Sequence, residues 1–235
     1  MRRFIIGDIR GDLPLLKKMM DKLCPSNADF VLFLGSYLGP GPDSKGVIDY
    51  LLDLYDKDLD VHFLKGCYEF MFQYCTQEDV PMQAAMVWSQ MKGNNVFKSY
   101  ASNKSLYVLH TGINGRPEPT KVEIPMVIPE RHIRFMNNLH QWFEDETFPI
   151  VACHAGGHPA LYGGTLETEE QAMFGETNWW KQDWRQIPGK TVVFSHVPFD
   201  QPFLGKGKIG IDLGAGIGGK LCAYEMATEQ ITIVG

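Results

Sequence analysis

The stretch Phe4-Ile5-Ile6-Gly7-Asp8-Ile9-Arg10-Gly11 decides how the rest of the chain is read. A short apolar run stops at a glycine followed by a carboxylate, the pattern of a buried strand with a polar side chain at its C-terminal end. Open α/β sheets bind their ligands at that end. Two later stretches repeat the pattern: Phe30-Val31-Leu32-Phe33-Leu34-Gly35-Ser36 and Val61-His62-Phe63-Leu64-Lys65-Gly66-Cys67. If these strands are neighbours, Asp8, Ser36 and Cys67 line one rim.

The segments between them read as helices. Asp12 can cap a helix with Pro14 in its first turn, and Leu13, Leu15, Leu16, Met19, Met20 and Leu23 recur at helical spacing until Cys24-Pro25-Ser26-Asn27. Asp43-Ser44 starts a second helix with Val47, Ile48, Leu51, Leu52 and Tyr55 on one side. Strand, helix, strand, helix, strand implies consecutive right-handed βαβ units. Residues 69–104 carry helical signals without strand alternation and read as part of a helical cap or insertion around 69–145. Residues 105–128 resist assignment, and Pro129-Glu130 opens a helix running to Leu139. Two further apolar runs then end in histidine, Phe148 to His154 and Thr191 to His196. Three closing strands, Ile209 to Asp212, Leu221 to Met226 and Ile231 to Val234, look like a second sheet.

A chain of 235 residues with 44% hydrophobic residues can bury a core and fits a single α/β domain over 1–235. A net charge of −6 gives no general basic field, which argues against nucleic acid or an anionic membrane as partner. Five scattered cysteines suit a reducing compartment better than a disulfide framework. Met1-Arg2-Arg3 leads into three apolar residues, too few for a signal-peptide core, and no run reaches the ~20 apolar residues of a spanning helix. A cytoplasmic protein is expected.

The motifs Gly-Asp-x-x-Gly, Gly-x-x-x-x-x-Gly, Gly-x-x-Glu, His-Ala-Gly and x-His-x-Pro occur in that order, each after a strand. The set resembles the phosphoprotein phosphatase branch of the calcineurin-like metallophosphoesterases, close to bacterial serine/threonine phosphatases and symmetrical diadenosine tetraphosphatases. Pro42-Asp43-Ser44, Ile211-Asp212-Leu213-Gly214-Ala215 and Gly218-Gly219-Lys220-Leu221 extend the likeness over nearly the whole chain. The resemblance implies an α/β fold, a β-sandwich flanked by helices, with two metal ions over the strand ends. Such ions bind phosphate and lower the pKa of a bridging water.

Several implied site residues are replaced. The family's first motif is Gly-Asp-x-His-Gly, and here Asp8 is kept while the histidine is Arg10. The second is Gly-Asp-x-x-Asp-Arg-Gly, in which Ser36 stands for the bridging carboxylate and Gly39 and Pro40 for the later aspartate and arginine. The third is Gly-Asn-His-Glu, in which Cys67 replaces a ligand asparagine and Tyr68 the general-acid histidine. Asp8, His154 and His196 remain of six expected ligands. A neutral serine removes the charge that lets two dications sit together, and a guanidinium cannot lose its proton. The two-metal centre is therefore not expected to form.

Two readings stay open. In one, the protein is a catalytically impaired homologue, a pseudophosphatase whose rim binds a phosphorylated small molecule or phosphoprotein, with Arg10 as phosphate contact or pairing with Asp8. In the other, a single Zn or Mn ion at Cys67, His154 and His196 supports phosphatase or dinucleotide polyphosphate hydrolase activity, with Tyr68 as a weak acid candidate. Gly214 to Lys220 matches the spacing of a phosphate loop but precedes a strand, so it reads as a turn. Trp179, Trp180 and Trp184 read as packing.

Overall fold

The computed structural model describes the chain except residues 77–79, 102–109, 112–116, 119–126 and 167. The strands are β1 Arg3–Ile6, β2 Phe30–Phe33, β3 Asp60–Phe63, β4 His110–Thr111, β5 Pro117–Glu118, β6 Trp142–Glu144, β7 Ile150–Cys153, β8 Thr191–Phe194, β9 Phe203–Gly205, β10 Lys208–Gly210, β11 Leu221–Glu225 and β12 Ile231–Val234. The helices are α1 Leu13–Leu23, α2 Ser44–Asp56, α3 Cys67–Cys75, α4 Met82–Gln90, α5 Asn94–Tyr100, α6 Glu130–Asn137 and α7 Glu169–Phe174. One sheet has the order β12-β11-β1-β2-β3 and the other β6-β7-β8-β10-β9. Among the described residues, β4 and β5 pair with each other and with no further strand.

The first two helices start where the sequence marks them. Asp12 accepts the Leu15 N–H and Asp43 accepts the Gly46 N–H, each satisfying a donor that the first helical turn leaves unpaired. Glycine at 46 lets that cap close in, since a Cβ there would meet Asp43 Oδ2 at 2.1 Å. Along α2 the buried apolar positions are Val47, Ile48, Leu51 and Leu54, whereas Tyr55 is exposed. The buried stripe takes Leu54 in place of the neighbouring Tyr55, and the larger ring with its hydroxyl stays in water.

β1, β2 and β3 run parallel, with Ile6 opposite Phe33 and Phe33 opposite Phe63. Alternate residues point to opposite faces, so Phe4, Ile6, Val31 and Phe33 pack outward against α1 and α2, through Leu16, Met19, Val47, Ile48 and Leu51. Ile5 and Leu32 face inward, where they meet Ile150, Ala152 and Val193 of the second sheet. The outer face of that sheet, including Val151, Cys153, Val192 and Phe194, is covered by Leu161 and Trp179. Both faces are covered, which is why these strands read as continuous apolar runs. Trp179 is buried, but Trp184 is exposed and stacks on Arg185, so the three tryptophans do not pack as one group.

The closing strands do not form a sheet of their own. β11 lies antiparallel to β1 and carries β12 outside it, whereas β10 pairs in parallel with β8 of the other sheet. The hydrophobic pattern locates these strands correctly but not their partners, because alternation says nothing about which neighbour completes a ladder. The short strands β6 and β9, which no sequence pattern marks, border the second sheet.

Within the stretch expected to be a helical cap, the described parts are helices α3 to α6, the paired short strands β4 and β5, and strand β6, so the end of that stretch is sheet and not cap. Much of 105–128 lies outside the described residues. No helix among the described residues is long and apolar enough to cross a membrane.

Candidate active site at the strand ends

The C-terminal ends of β1, β2, β7, β8 and β10 converge with the start of α3. They carry Asp8, Arg10, Ser36, His154, His196, Asp212 and Cys67. Three of these residues, Arg10, Ser36 and His196, have positive φ of 50°, 52° and 71°. Left-handed backbone is uncommon outside glycine and persists where the surroundings over-determine it. Around Arg10 the surroundings are glycines. A Cβ at Gly39 would lie 2.6 Å from Arg10 Cα, and Cβ atoms at Gly41 and Gly216 would lie 2.4 and 2.3 Å from the Arg10 carbonyl oxygen. Two separate segments thus close on the Arg10 backbone only because neither has a side chain there.

The Arg10 guanidinium points inward. Its Nη1 donates to Asp212 Oδ1 at 2.8 Å, while Nη2 donates to Asp212 Oδ2 and to the His196 carbonyl at 3.2 Å. The same Nη2 lies 2.9 Å from Asp8 Oδ2, an ion contact without a directed hydrogen bond. Arg10 is 5% exposed, Asp8 2% and Asp212 1%, so the cluster is an internal one. Burial opposes the charged guanidinium, but the two carboxylates outweigh it and hold Arg10 protonated beyond its usual range. Burial and the Asp8 charge raise the Asp212 acid, against the pull of Arg10. With the fork and the Gly214 N–H at 2.9 Å all donating to it, Asp212 is the main hydrogen-bond acceptor of the cluster.

Beside this cluster sits a second one. Cys67 Sγ and one ring nitrogen each of His154 and His196 lie within 4.8 Å of one another. His154 Nδ1 lies 2.9 Å from the Leu34 carbonyl, which can only accept, so Nδ1 carries the proton and Nε2 presents its lone pair. That Nε2 faces Ser36 Oγ at 3.4 Å, and Ser36 Oγ lies 3.7 Å from Cys67 Sγ. Burial, with Arg10 nearby, lowers His154 to about 3, and burial with His154 lowers His196 to about 4. Both rings are neutral at pH 7. Burial pushes the Cys67 thiol up, although it opens a helix, because Asp8 is close and no cation compensates fully. His196 Nδ1 is buried with no hydrogen-bond partner among the described residues.

Glu69 supports both clusters from behind. Its Oε2 accepts the N–H groups of Ser36 at 2.8 Å and Gly66 at 3.0 Å, and its Oε1 accepts that of Leu38 at 2.9 Å. It thereby ties the β2 loop to the start of α3, while burial raises its acid to about 7. Ser195 Oγ accepts the Asp8 N–H at 3.0 Å and joins the two sheets at this end.

Polar residues gathered at the strand ends of a two-sheet sandwich agree with a match of the whole N-terminal part of the chain: the family model for the calcineurin-like phosphoesterases covers residues 1–200. The chain belongs to that family. Among solved structures, the calcineurin-like phosphoesterase described here is similar to a candidate diadenosine tetraphosphatase, with TM-score 0.63 and 18% identity over 99% of this chain and 92% of the other. It also matches a serine/threonine phosphatase from Saccharomyces cerevisiae at TM-score 0.56 and 8% identity, covering 100% of this chain and 79% of that one. A cold-active protein-tyrosine phosphatase from a Shewanella species matches at TM-score 0.54 and 12% identity, covering 100% and 80%. At such identities these likenesses concern the fold. No curated protein sequence matches this calcineurin-like phosphoesterase.

The donor set can be tested against the metals of the family. At the first position, Asp8 and Ser36 are joined by Arg10, whose fixed charge already lies against Asp8; a dication there does not fit. At the second position the fit is better. Cys67 and two neutral imidazoles can hold one ion, His154 has the carbonyl-bound Nδ1 usual for a metal-ligating histidine, and His196 keeps an orphaned buried nitrogen.

Of the residues singled out from sequence, Asp8, Arg10, Ser36, Cys67, His154 and His196 come together. Tyr68 lies near them, but its hydroxyl donates to the Met91 carbonyl at 2.8 Å, and burial raises the phenol above its usual range. Asp212 and Glu69 lie within the sequence motifs, but only the structure gives them a role. A signal for Asp212 is present, since Ile209-Gly210-Ile211-Asp212-Leu213-Gly214 repeats the apolar run, carboxylate and glycine of β1. Among the other histidines, His132 bridges Tyr100 and Asp49, and His158 bonds Glu144.

Proposed function

We propose that this calcineurin-like phosphoesterase is catalytically impaired and acts by binding. One observation supports the reading: the guanidinium of Arg10 lies 2.9 Å from Asp8 Oδ2, and Ser36, a neutral side chain, stands where the family resemblance implies a bridging carboxylate. Two-metal hydrolysis rests on two cations clamping the attacking and leaving oxygens. With one position given to Arg10, and the Tyr68 hydroxyl committed to a backbone carbonyl, little remains to stabilise the transition state. We assign Arg10 as an internal counter-ion in preference to a phosphate contact, since its polar contacts go to Asp212, Asp8 and His196.

The ligand class we favour is a phosphorylated small molecule or a phosphoprotein. Recognition of a dianion at this rim needs positive charge beyond Arg10, and this gives the second reading its place. The Cys67–His154–His196 set supports a single bound metal. Such an ion would supply a Lewis acid for phosphate oxygen; the chain's own part is to present two neutral imidazoles, with Leu34 fixing the ring of His154.

The decisive experiment combines metal analysis with an assay of phosphomonoester and dinucleotide polyphosphate hydrolysis in Mn²⁺ and in Zn²⁺. Negligible turnover in both is expected. Substantial Mn²⁺-dependent turnover by the purified protein would overturn the first reading. About one zinc per chain, lost in Cys67→Ala, is the outcome expected of the second, and no bound zinc in the wild type would sink it.

A further inference from the structure

The two carboxylates around Arg10 are in a situation that a cation normally resolves. Asp8 has both oxygens buried and neither receives a directed hydrogen bond from a described residue. The groups facing it are the charged Arg10 at 2.9 Å and, at 3.4 Å, the neutral ring of His154, whose Nδ1 proton goes to Leu34. Asp212 is gripped at both oxygens by the same guanidinium. Two buried carboxylates thus share one guanidinium. Without Arg10 they would lose the cation placed between them, in a place where unpaired charge is strongly disfavoured.

The placement of Arg10 is built in. Gly39, Gly41 and Gly216 hold its backbone at φ 50°, and the side chain is directed from there into the carboxylate pair. A guanidinium stays protonated under all ordinary conditions, so its charge is as permanent as that of a bound ion.

We propose that Arg10 is a resident replacement for a divalent cation: it ties Asp8 to Asp212, makes the stability of this end of the fold independent of hard divalent metals, and leaves a cation-binding carboxylate pair when it is removed. The pair offers oxygen donors alone, which suits Mg²⁺ or Mn²⁺, whereas the neighbouring Cys67 and histidines suit zinc. The inference rests on the reading that Arg10 fills a metal position. Its readout is stability, so it can fail while the absence of turnover stands, and the reverse.

The test is thermal unfolding of the full chain in chelator, then with Mg²⁺ and with Mn²⁺. The wild-type midpoint is expected to stay put in all three. Arg10→Ala should melt lower in chelator and gain ~5 °C or more when Mg²⁺ exceeds its dissociation constant ~100-fold. The gain should vanish in Arg10→Ala/Asp212→Asn and persist in Arg10→Ala/Cys67→Ser, and Arg10→Lys, which keeps a cation but not the fork, should melt below wild type yet show no gain with Mg²⁺. An Arg10→Ala protein unmoved by either cation would overturn the proposal, and so would a wild-type midpoint that rises with Mg²⁺. If Arg10→Ala does not fold in chelator, refolding from urea decides: recovery only with Mg²⁺ or Mn²⁺ supports the replacement, and failure in both cations refutes it.

Discussion

Arg10 and Asp212 are 202 residues apart in the chain, and both terminal nitrogens of the arginine donate to the two carboxylate oxygens of the aspartate. The fork joins the end of β1 in one sheet to the end of β10 in the other. It therefore closes the sandwich at the rim where this family does its chemistry.

Breaking that fork from one side should be costly. Arg10→Met strands Asp8 and Asp212, and loss of one partner of a buried pair destabilises by about 3–5 kcal/mol. Arg10→Met/Asp212→Leu removes charge from both ends and is expected to recover part of the loss. Urea unfolding of the two singles and the double gives the coupling; strict additivity would contradict an energetic fork.

Gly216 offers a test of the clamp on Arg10. Its φ is +75°, and a Cβ would lie 2.3 Å from the Arg10 carbonyl oxygen, whereas a Cβ at Gly164, with φ +107°, would have nothing within 4 Å. Gly164→Ala should cost only backbone strain, about 1 kcal/mol, and Gly216→Ala about 1–3 kcal/mol more because the backbone must move. Equal midpoints for the two variants in denaturant would remove the steric account.

Glu69→Gln keeps shape and removes charge at a side chain that accepts three backbone N–H groups. The amide nitrogen of glutamine cannot accept, so one or two of those donors lose their partner, at about 1–3 kcal/mol each. Faster amide exchange at Ser36, Leu38 and Gly66 is the expected signature. Unchanged exchange at all three would mean that the loop is held by other contacts.

Asp29 provides a pH dependence away from the rim. Its carboxylate accepts from the Arg2 side chain at 2.7 Å, the Arg2 N–H at 2.6 Å and the Ser26 N–H at 2.9 Å, which hold its acid well below the usual aspartate range. The folded pKa is depressed, so its stabilisation is fully present above the unfolded value, near ~3.9, and is lost as pH falls below it. The Arg2 side chain is the largest cause of the depression, with the backbone bonds adding to it, and because that side chain is 44% exposed its share of the stability is reduced by solvent screening. Asp29→Asn should lower stability at pH 7 and flatten the acid limb; an acid limb identical to wild type would refute the assignment.

Much of this protein is legible in local pattern. The runs ending at Asp8, Ser36, His154 and His196 announce strands, because apolar residues flanked by glycine or a polar site residue are what a doubly covered strand requires. Asp12 and Asp43 mark helix starts, because an unpaired turn needs a nearby acceptor. The order of the motifs points to the family, and the residues replaced within them are visible at once.

What the pattern cannot say is which distant groups meet. β10 and β11 are consecutive in the chain and go to different sheets, since ladder partners are chosen by the packing of whole layers. Asp212 shows the same local signal as Asp8, but only the closing of one sheet over the other brings it to Arg10. Tyr68 occupies the expected acid position in sequence, and its hydroxyl turns to Met91 because a buried phenol needs a partner and a backbone carbonyl is in reach. The sequence by itself determined the longer strands, the starts of α1 and α2 and most of the rim residues, which depend on short-range chemistry. The tertiary structure alone decided that the arginine of the rim faces inward, because two buried carboxylates from opposite sheets needed its charge.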